Sequence, residues 1–470
     1  MDSSLFQFIS EHENDDVSRL LLSRGKWPEI DMDLAVNTIE GRKRIASKVP
    51  QWGERHDLLY PTRLCTEQCS SEATAQYKAS IARRMGWKSL ADLTGGLGVD
   101  SWYLASAVPA ILHNEADPVL AAGVRENFKV LGRTDHISFR NALAEPGKIR
   151  EILGDFVPDV VFMDPARRSE SGKKVFLIED CRPDVLGLRD EIFGICRWIF
   201  LKLSPMADIS MAVGRLGHVT EVHTVATGGE CKELLVIIDR EHRDSGYRLF
   251  VHDSGQTLEF DPEAEKAAVP VLPGKASADG SADRMVTDGV GNPAAAGAGW
   301  VGQTLFEPGK ALGKAGVSNS LCDRFALVKI GRSTNLYLAG GAGIQDPDTP
   351  PSTDEPLSTG APTVSEFGSL PPIASFGKAY TITEVHPLDK RSMKEVGDRL
   401  GWADVTARNI PMTSEELGKK MGLSPKKAKK TAGNDGPRQD AVPHIFGVRA
   451  DWKDAPGENL LIVTRPVRKP

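Results

Sequence analysis

Five short apolar runs constrain this chain more than any other feature: SLADLTGG (89–96), AILHNEA (110–116), HISFRNA (136–142), DVVFMDP (159–165) and WIFLKLSP (198–205). Segments of helical or loop character separate them. Strands alternating with helices, each too apolar to face water, specify a mostly parallel α/β sheet covered on both faces. Two more β-rich runs, HVTEVHTVAT and KELLVIID, are joined by GGEC and read as a hairpin closing the sheet. The block spans about 71–242.

The runs share a second property. Each ends in a polar or conformationally special residue, so chemistry gathers at the carboxyl ends of the strands, where open α/β sheets bind ligands. Asp92 closes the first. Thr94, Gly95, Gly96 and Gly98 then form a tight turn, and glycines there let backbone approach a ligand closely. The spacing is not the Gly-x-Gly-x-x-Gly of a dinucleotide fingerprint. The second run ends in Glu115, whose carboxylate can accept both hydroxyls of a ribose. The third ends in Asn141, placed to face an adenine edge. The fourth ends in Asp164-Pro165-Ala166-Arg167-Arg168, and the fifth in Ser204-Pro205.

Before the sheet, residues 1–70 read as helices. Asp31 is a candidate N-cap for DMDLAVNTIEGRKRIASKV. Ser70 or Ser71 is one for the next helix, with Glu72 in its first turn and Gly86 as its stop. After the sheet, YRLFVHDSGQTLEF reads as a hairpin turning at Ser254-Gly255. Residues 261–299 and 340–375 are rich in Ala, Gly, Pro, Ser and Thr, and carry too little apolar content to offset their ordering entropy. The last unit, 376–470, runs from KAYTITEV to ENLLIVTRPV. It holds 18 Lys and Arg against 12 Asp and Glu, a local charge of +6 in a chain of net charge −6. Segregation of that kind is the footprint of a nucleic-acid-binding tail on an acidic enzyme. PKKAKK is its densest basic run, and a solvated loop is the plainer explanation of it.

The N-terminus carries no secretory signal, and no run is long and apolar enough for a transmembrane helix. The six cysteines are scattered, with no zinc set, so no metal is expected and reduced thiols point to a cytoplasmic protein.

The stretches TEQCSSEATAQYKA, DLTGGLGVDS, MDPARR, LKLSPM, GECKELL, LFEPGKALGKAG and ARNIPMT resemble a bacterial family of class I S-adenosylmethionine-dependent methyltransferases with a THUMP-like C-terminal domain. The resemblance implies a Rossmann-like methyltransferase domain (71–242) behind a helical region (1–70). A small ferredoxin-like module (243–340, with the insertion 261–299), a linker (341–375) and a THUMP-like domain (376–470) would follow. The implied cofactor is S-adenosylmethionine, held by Asp92, Thr94, Gly95, Gly96, Gly98, Glu115 and Asn141. TEQCSS, with Glu67, Gln68 and Ser70, would cap its site. Related THUMP domains bind RNA, so structured RNA (tRNA or rRNA) is the expected partner.

In methyltransferases acting on exocyclic base amines the fourth strand ends in Asp or Asn, Pro, Pro and an aromatic. The polar group orients the amine and the ring stacks on the flipped base. Here Asp164 and Pro165 remain, while Ala166 and Arg167 replace the second proline and the aromatic. The expectation is therefore methylation of a base nitrogen, with Asp164 and Pro165 catalytic. Arg167 and Arg168 would hold the RNA backbone, unless they pair with Glu170, Glu179 or Asp180. Ser204, Glu230, Lys232 and Glu233 would reach the acceptor. The alternatives are an RNA-binding protein with a non-catalytic cofactor site, or a methyltransferase of proteins or small molecules.

Overall fold

The computed structural model describes residues 3–132, 134–167, 178–274, 297–339, 373–424 and 442–467. The expected low-complexity segments fall largely outside these ranges, as do PKKAKK and Arg168. The chain divides into two compact units, Met1–Thr227 with Cys231–Leu249, and Gly228–Glu230 with Phe250–Pro470.

In the first unit β1 (Ser89–Asp92), β2 (Ala110–Asn114), β3 (Ile137–Arg140) and β4 (Val160–Met163) are parallel. A two-residue ladder follows, β5 (Ala166–Arg167) against β6 (Cys181–Arg182). Then come β7 (Trp198–Leu203), parallel to β4, and β8 (Val219–Thr227) and β9 (Glu230–Asp239), with β9 antiparallel to β7. The order across the unit is β3-β2-β1-β4-β7-β9-β8, the mostly parallel α/β sheet expected. All four residues of β4 are buried, as are Leu90, Ala91 and Asp92. Burying each large apolar side chain contributes roughly 1.5–3 kcal/mol, and four-residue strands persist in the sheet on that account. The β8–β9 turn is Gly228-Gly229, both at positive φ (61° and 78°), so Glu230 already belongs to β9.

Helix Glu72–Met85 packs on this sheet. Ser71 is its N-cap, its Oγ accepting from the Thr74 N–H, and Gly86 ends it at φ 72°. Polar bonds fix its orientation: Tyr77 Oη to His223 Nδ1 at 2.9 Å, and Arg84 to Glu221. Farther upstream, Asp31 caps helix Met32–Lys48. That helix packs with Phe8, Ile9 and Leu20 into a small core of its own.

In the second unit β10 (Arg248–Asp253) and β11 (Gln256–Phe260) turn at Ser254-Gly255, both at positive φ. β12 (Thr304–Pro308), β13 (Leu327–Lys329), β14 (Tyr337–Ala339), β15 (Gly377–Pro387), β16 (Asp404–Arg408), β17 (His444–Ala450) and β18 (Glu458–Pro466) form one sheet in the order β13-β14-β12-β15-β18-β17-β16. Strands from 304–339 and from 377–466 thus share hydrogen bonds, β12 running antiparallel to β15. The two-residue period of a strand sorts the core. Phe446, Val448, Leu460 and Ile462 pack on one face with Trp300 and Trp452. Ile445, Leu461 and Val463 pack on the other with Met393, Val396, Leu417 and Met421.

Candidate active site at the carboxyl end of the first sheet

The order of strands reverses at β1 and β4, and a crevice opens outside their carboxyl ends. A cavity of about 320 Å³ lies there, within the first unit. Thr94, Gly95, Gly96 and Gly98 line it, with Glu115 and Asp117 and with Asp92, Asp164, Ala166 and Lys202. Thr62, Cys65, Gln68, Cys69 and Ser70 close it from the segment before helix Glu72–Met85.

The turn after β1 is held by its own acids. Asp92, 1% exposed, accepts from the Thr94 N–H (3.0 Å) and from Ser101 Oγ (2.7 Å). Burial pushes its carboxyl up to about 7, against these two hydrogen bonds, with Asp100 and Asp164 adding to the rise. Ser101 Oγ also meets Nδ1 of the buried His113 at 3.0 Å, and burial pushes that imidazole down to about 4. Gly95 has to be glycine, because a Cβ there would sit 2.1 Å from His113 Cε1. Gly96 (φ 54°) and Gly98 (φ 85°) need the left-handed region, and a Cβ on Gly98 would also strike Phe128. Thr94 Oγ1 reaches across to β4 and accepts from the Asp164 N–H at 2.6 Å.

Glu115 accepts from the Gly96 N–H with Oε2 and from the Asp117 N–H with Oε1, each at 2.8 Å. A carboxylate offers about four lone-pair sites, and hydrogen bonds among the described residues use two of those of Glu115, which lines the cavity. Asn141 does not line the cavity. Its amide donates to the carbonyls of Glu115 (2.7 Å) and Ala116 (3.1 Å), bracing the loop that presents Glu115.

Asp164 pairs through Oδ2 with Lys202 Nζ, and Lys202 lies 3.8 Å from Asp100 Oδ2. Behind them the fully buried Lys78 holds Glu233 (2.7 and 2.8 Å), Asp100 (3.1 Å) and Ser70 Oγ (3.2 Å). Ser70 donates to Asp100 Oδ2 at 2.7 Å. Burial works against the charge on Lys202, but Asp164, Asp100 and Glu233 outweigh it and raise its pKa. For Asp100 the two lysines outweigh burial and lower the carboxyl; for Glu233 burial prevails and raises it.

The other candidates stand apart. Ser204 Oγ accepts from the Met206 N–H, Lys232 and Glu230 are exposed on β9, and Glu67 pairs with Arg63. Pro165 is buried, and the backbone of Arg167 pairs with Cys181. The side chain of Arg167 and all of Arg168 lie outside the described residues; Glu179 pairs with Arg215. Sequence reasoning missed Lys78, Asp100 and Lys202. Its available signal was a lysine on the apolar face of each of two elements, Lys78 among Thr74, Ala75 and Ala82, and Lys202 within WIFLKL.

Among the described residues no group of His, Cys, Asp or Glu suits a metal ion, and no helix is long and apolar enough to cross a membrane. A family model described as THUMP domain-like matches residues 377–440. No curated protein matches the chain. A crystal structure described as a "putative methyltransferase from Porphyromonas gingivalis W83" superposes with a TM-score of 0.71 at 24% identity, covering 99% of this chain and 98% of that one. Partial likenesses extend to a methyltransferase from Geobacter sulfurreducens (15% identity, 48% of this chain and 98% of that one, TM-score 0.28). Another is the SAH-bound Podospora anserina methyltransferase PaMTH1 (14% identity, 44% and 88%, TM-score 0.28). The chain therefore has, along nearly its whole length, the fold of the Porphyromonas protein, and it carries a THUMP-domain-like segment toward its C-terminus.

Proposed function

We propose that this chain is an S-adenosylmethionine-dependent methyltransferase acting on structured RNA. The observation that carries the reading is one cavity that brings together the glycine turn, the open acceptor sites of Glu115 and the carboxylate of Asp164. The residues fit the cofactor. At Gly96 the place of a Cβ is open, so backbone can be approached closely there, Glu115 can take a ribose diol, and the volume suits a nucleoside-sized ligand. When bound, the cofactor supplies a methyl group already activated on sulfur, so the protein's work is positioning. Asp164 is fixed for that work from two sides, its N–H by Thr94 and its Oδ2 by Lys202. Among the described residues Oδ1 makes no hydrogen bond, which leaves it available to an acceptor.

RNA as the substrate is supported by the THUMP-domain-like match and by the +6 charge of residues 376–470. Phosphate contacts there would confer affinity, while the choice of site falls to the cavity. The sequence expectation of a base nitrogen rested on Asp164-Pro165. The lysine beside Asp164 bears on that choice of acceptor.

The test is transfer of labelled methyl from S-adenosylmethionine to total RNA of a strain of the source organism lacking this gene. Asp164→Ala is expected to abolish transfer and leave cofactor affinity within a few-fold. Wild-type turnover by that variant would contradict the assignment of Asp164. Label entering only protein or small molecules would contradict RNA.

A further inference from the structure

From the pairing of Asp164 with Lys202 in the lining of the cavity, we infer that the acceptor is a ribose hydroxyl, the 2′-OH of an RNA nucleotide, and that Lys202 is a catalytic residue. The inference rests on the RNA-methyltransferase reading above and narrows its acceptor.

Charge development separates the two kinds of acceptor. A base amine that attacks a methyl group becomes positive before it loses its proton. It is served by neutral or anionic acceptors and by an aromatic face for the base. A ribose hydroxyl is an ordinary alcohol, a poor nucleophile until its proton is drawn away, and its oxygen then becomes negative. It is served by a proton acceptor and a cation side by side. This site has the second pair. Lys202 lines the cavity and is held charged by Asp164, Asp100 and Glu233. An ammonium has three N–H donors, and among the described residues one is spent on a hydrogen bond, to Asp164. The aromatic position of amine-methylating sites is occupied by Arg167, on a segment whose backbone is tied into the β5–β6 ladder. Ala166, which lines the cavity, offers no ring.

The network behind the pair explains why a lysine can be kept there. Lys78 and Lys202 are set among Asp100, Glu233 and Asp164, so each buried ammonium has a carboxyl partner. Removal of one partner would leave an uncompensated buried charge. Lys78 and Glu233 do not line the cavity; they are positioning residues, Glu233 holding Lys78 and Lys78 holding Asp100, which lies 3.8 Å from Lys202.

The step balances. The hydroxyl oxygen forms a bond to the methyl carbon as the carbon–sulfur bond breaks with its electron pair going to sulfur. The hydroxyl proton passes to Asp164 Oδ1 and then to water. Lys202 donates to the oxygen while it carries negative charge and stays protonated throughout. The products are a methyl ether, a thioether and one proton.

The experiment is alkaline hydrolysis of the RNA labelled above. A 2′-O-methyl group removes the hydroxyl that cleaves the adjacent phosphodiester. Label is thus expected in alkali-stable dinucleotides, and a 2′-deoxy substitution at the mapped nucleotide should abolish it. Lys202→Met should lower kcat by about 100-fold or more, with S-adenosylmethionine still bound within a few-fold of wild-type affinity as the control for folding. Lys202→Arg should recover part of the loss. Label in base-methylated mononucleotides would overturn the inference and leave the RNA-methyltransferase reading standing. Cofactor binding with no label in any RNA would overturn both.

Discussion

Asp92 and His113 make opposite demands on protons within one hydrogen-bonded chain through Ser101. The Asp92 carboxyl is raised from 3.8 to about 7 by burial. The folded state keeps a proton that the unfolded chain releases, and stability from this group is lost as pH rises through that interval. His113 is lowered from 6.5 to about 4, also by burial. Its contribution is full above 6.5 and lost as pH falls toward 4. The two slopes oppose each other between about pH 4 and 6.5 and largely cancel. Asp92→Asn keeps an acceptor for Thr94 and removes one slope. Its stability should then rise across that window, relative to wild type, by about 3 kcal/mol. Equilibrium unfolding at pH 4.5 and 6.5 measures this, and parallel behaviour of the two proteins would contradict it. Asp92 was legible as a strand-end acid. His113 was not, because one histidine inside AILHNEA looks like any core residue until the glycine turn is laid against it. Lys78 and Lys202 were hidden for a related reason: their neutralising partners lie on other elements, Glu233 being 155 residues from Lys78.

Local chemistry spelled out whole elements where one residue type dictates the backbone. Ser71 and Gly86 bound a helix, Asp31 caps another, and Ser254-Gly255 and Gly228-Gly229 turn hairpins, all by side-chain caps or positive φ. Ser71→Ala should cost about 1 kcal/mol and lower Tm by a few degrees, read by thermal unfolding followed in the far ultraviolet. An unchanged Tm would mean that the cap contributes nothing. The glycine turn is stricter. Gly95→Ala places a methyl group against His113, so cofactor affinity should fall at least tenfold along with stability. Calorimetry reads the first and thermal unfolding the second. The long-range partner of β12 was not legible, because residues 340–372 intervene and no turn residue announces the pairing. The apolar run in ENLLIVTRPV signals a strand, yet says nothing about which strand lies beside it.

At the scale of the whole molecule, strand pairing in the second unit decides what a truncation can mean. Ending the chain at 375 would remove β15, β16, β17 and β18 from a seven-stranded sheet and leave β12 without one of its two neighbours. Such a truncation should aggregate or unfold in the second unit, so loss of RNA binding in it would say nothing about RNA contacts. Charge reversals on exposed basic residues are the better probe: Lys419→Glu with Lys420→Glu should weaken RNA binding and flatten its salt dependence, with the fold unchanged. A methyltransferase of this design requires the glycine-turn cavity to be a cofactor site. Calorimetric titration of the full-length protein with S-adenosylmethionine, beside NAD and beside Gly96→Asp, tests that most directly. Micromolar binding of S-adenosylmethionine is predicted, none of NAD, and none by the variant, whose aspartate would bring strain at φ 54° and a charge facing Glu115. No binding, or a preference for NAD, would contradict the account.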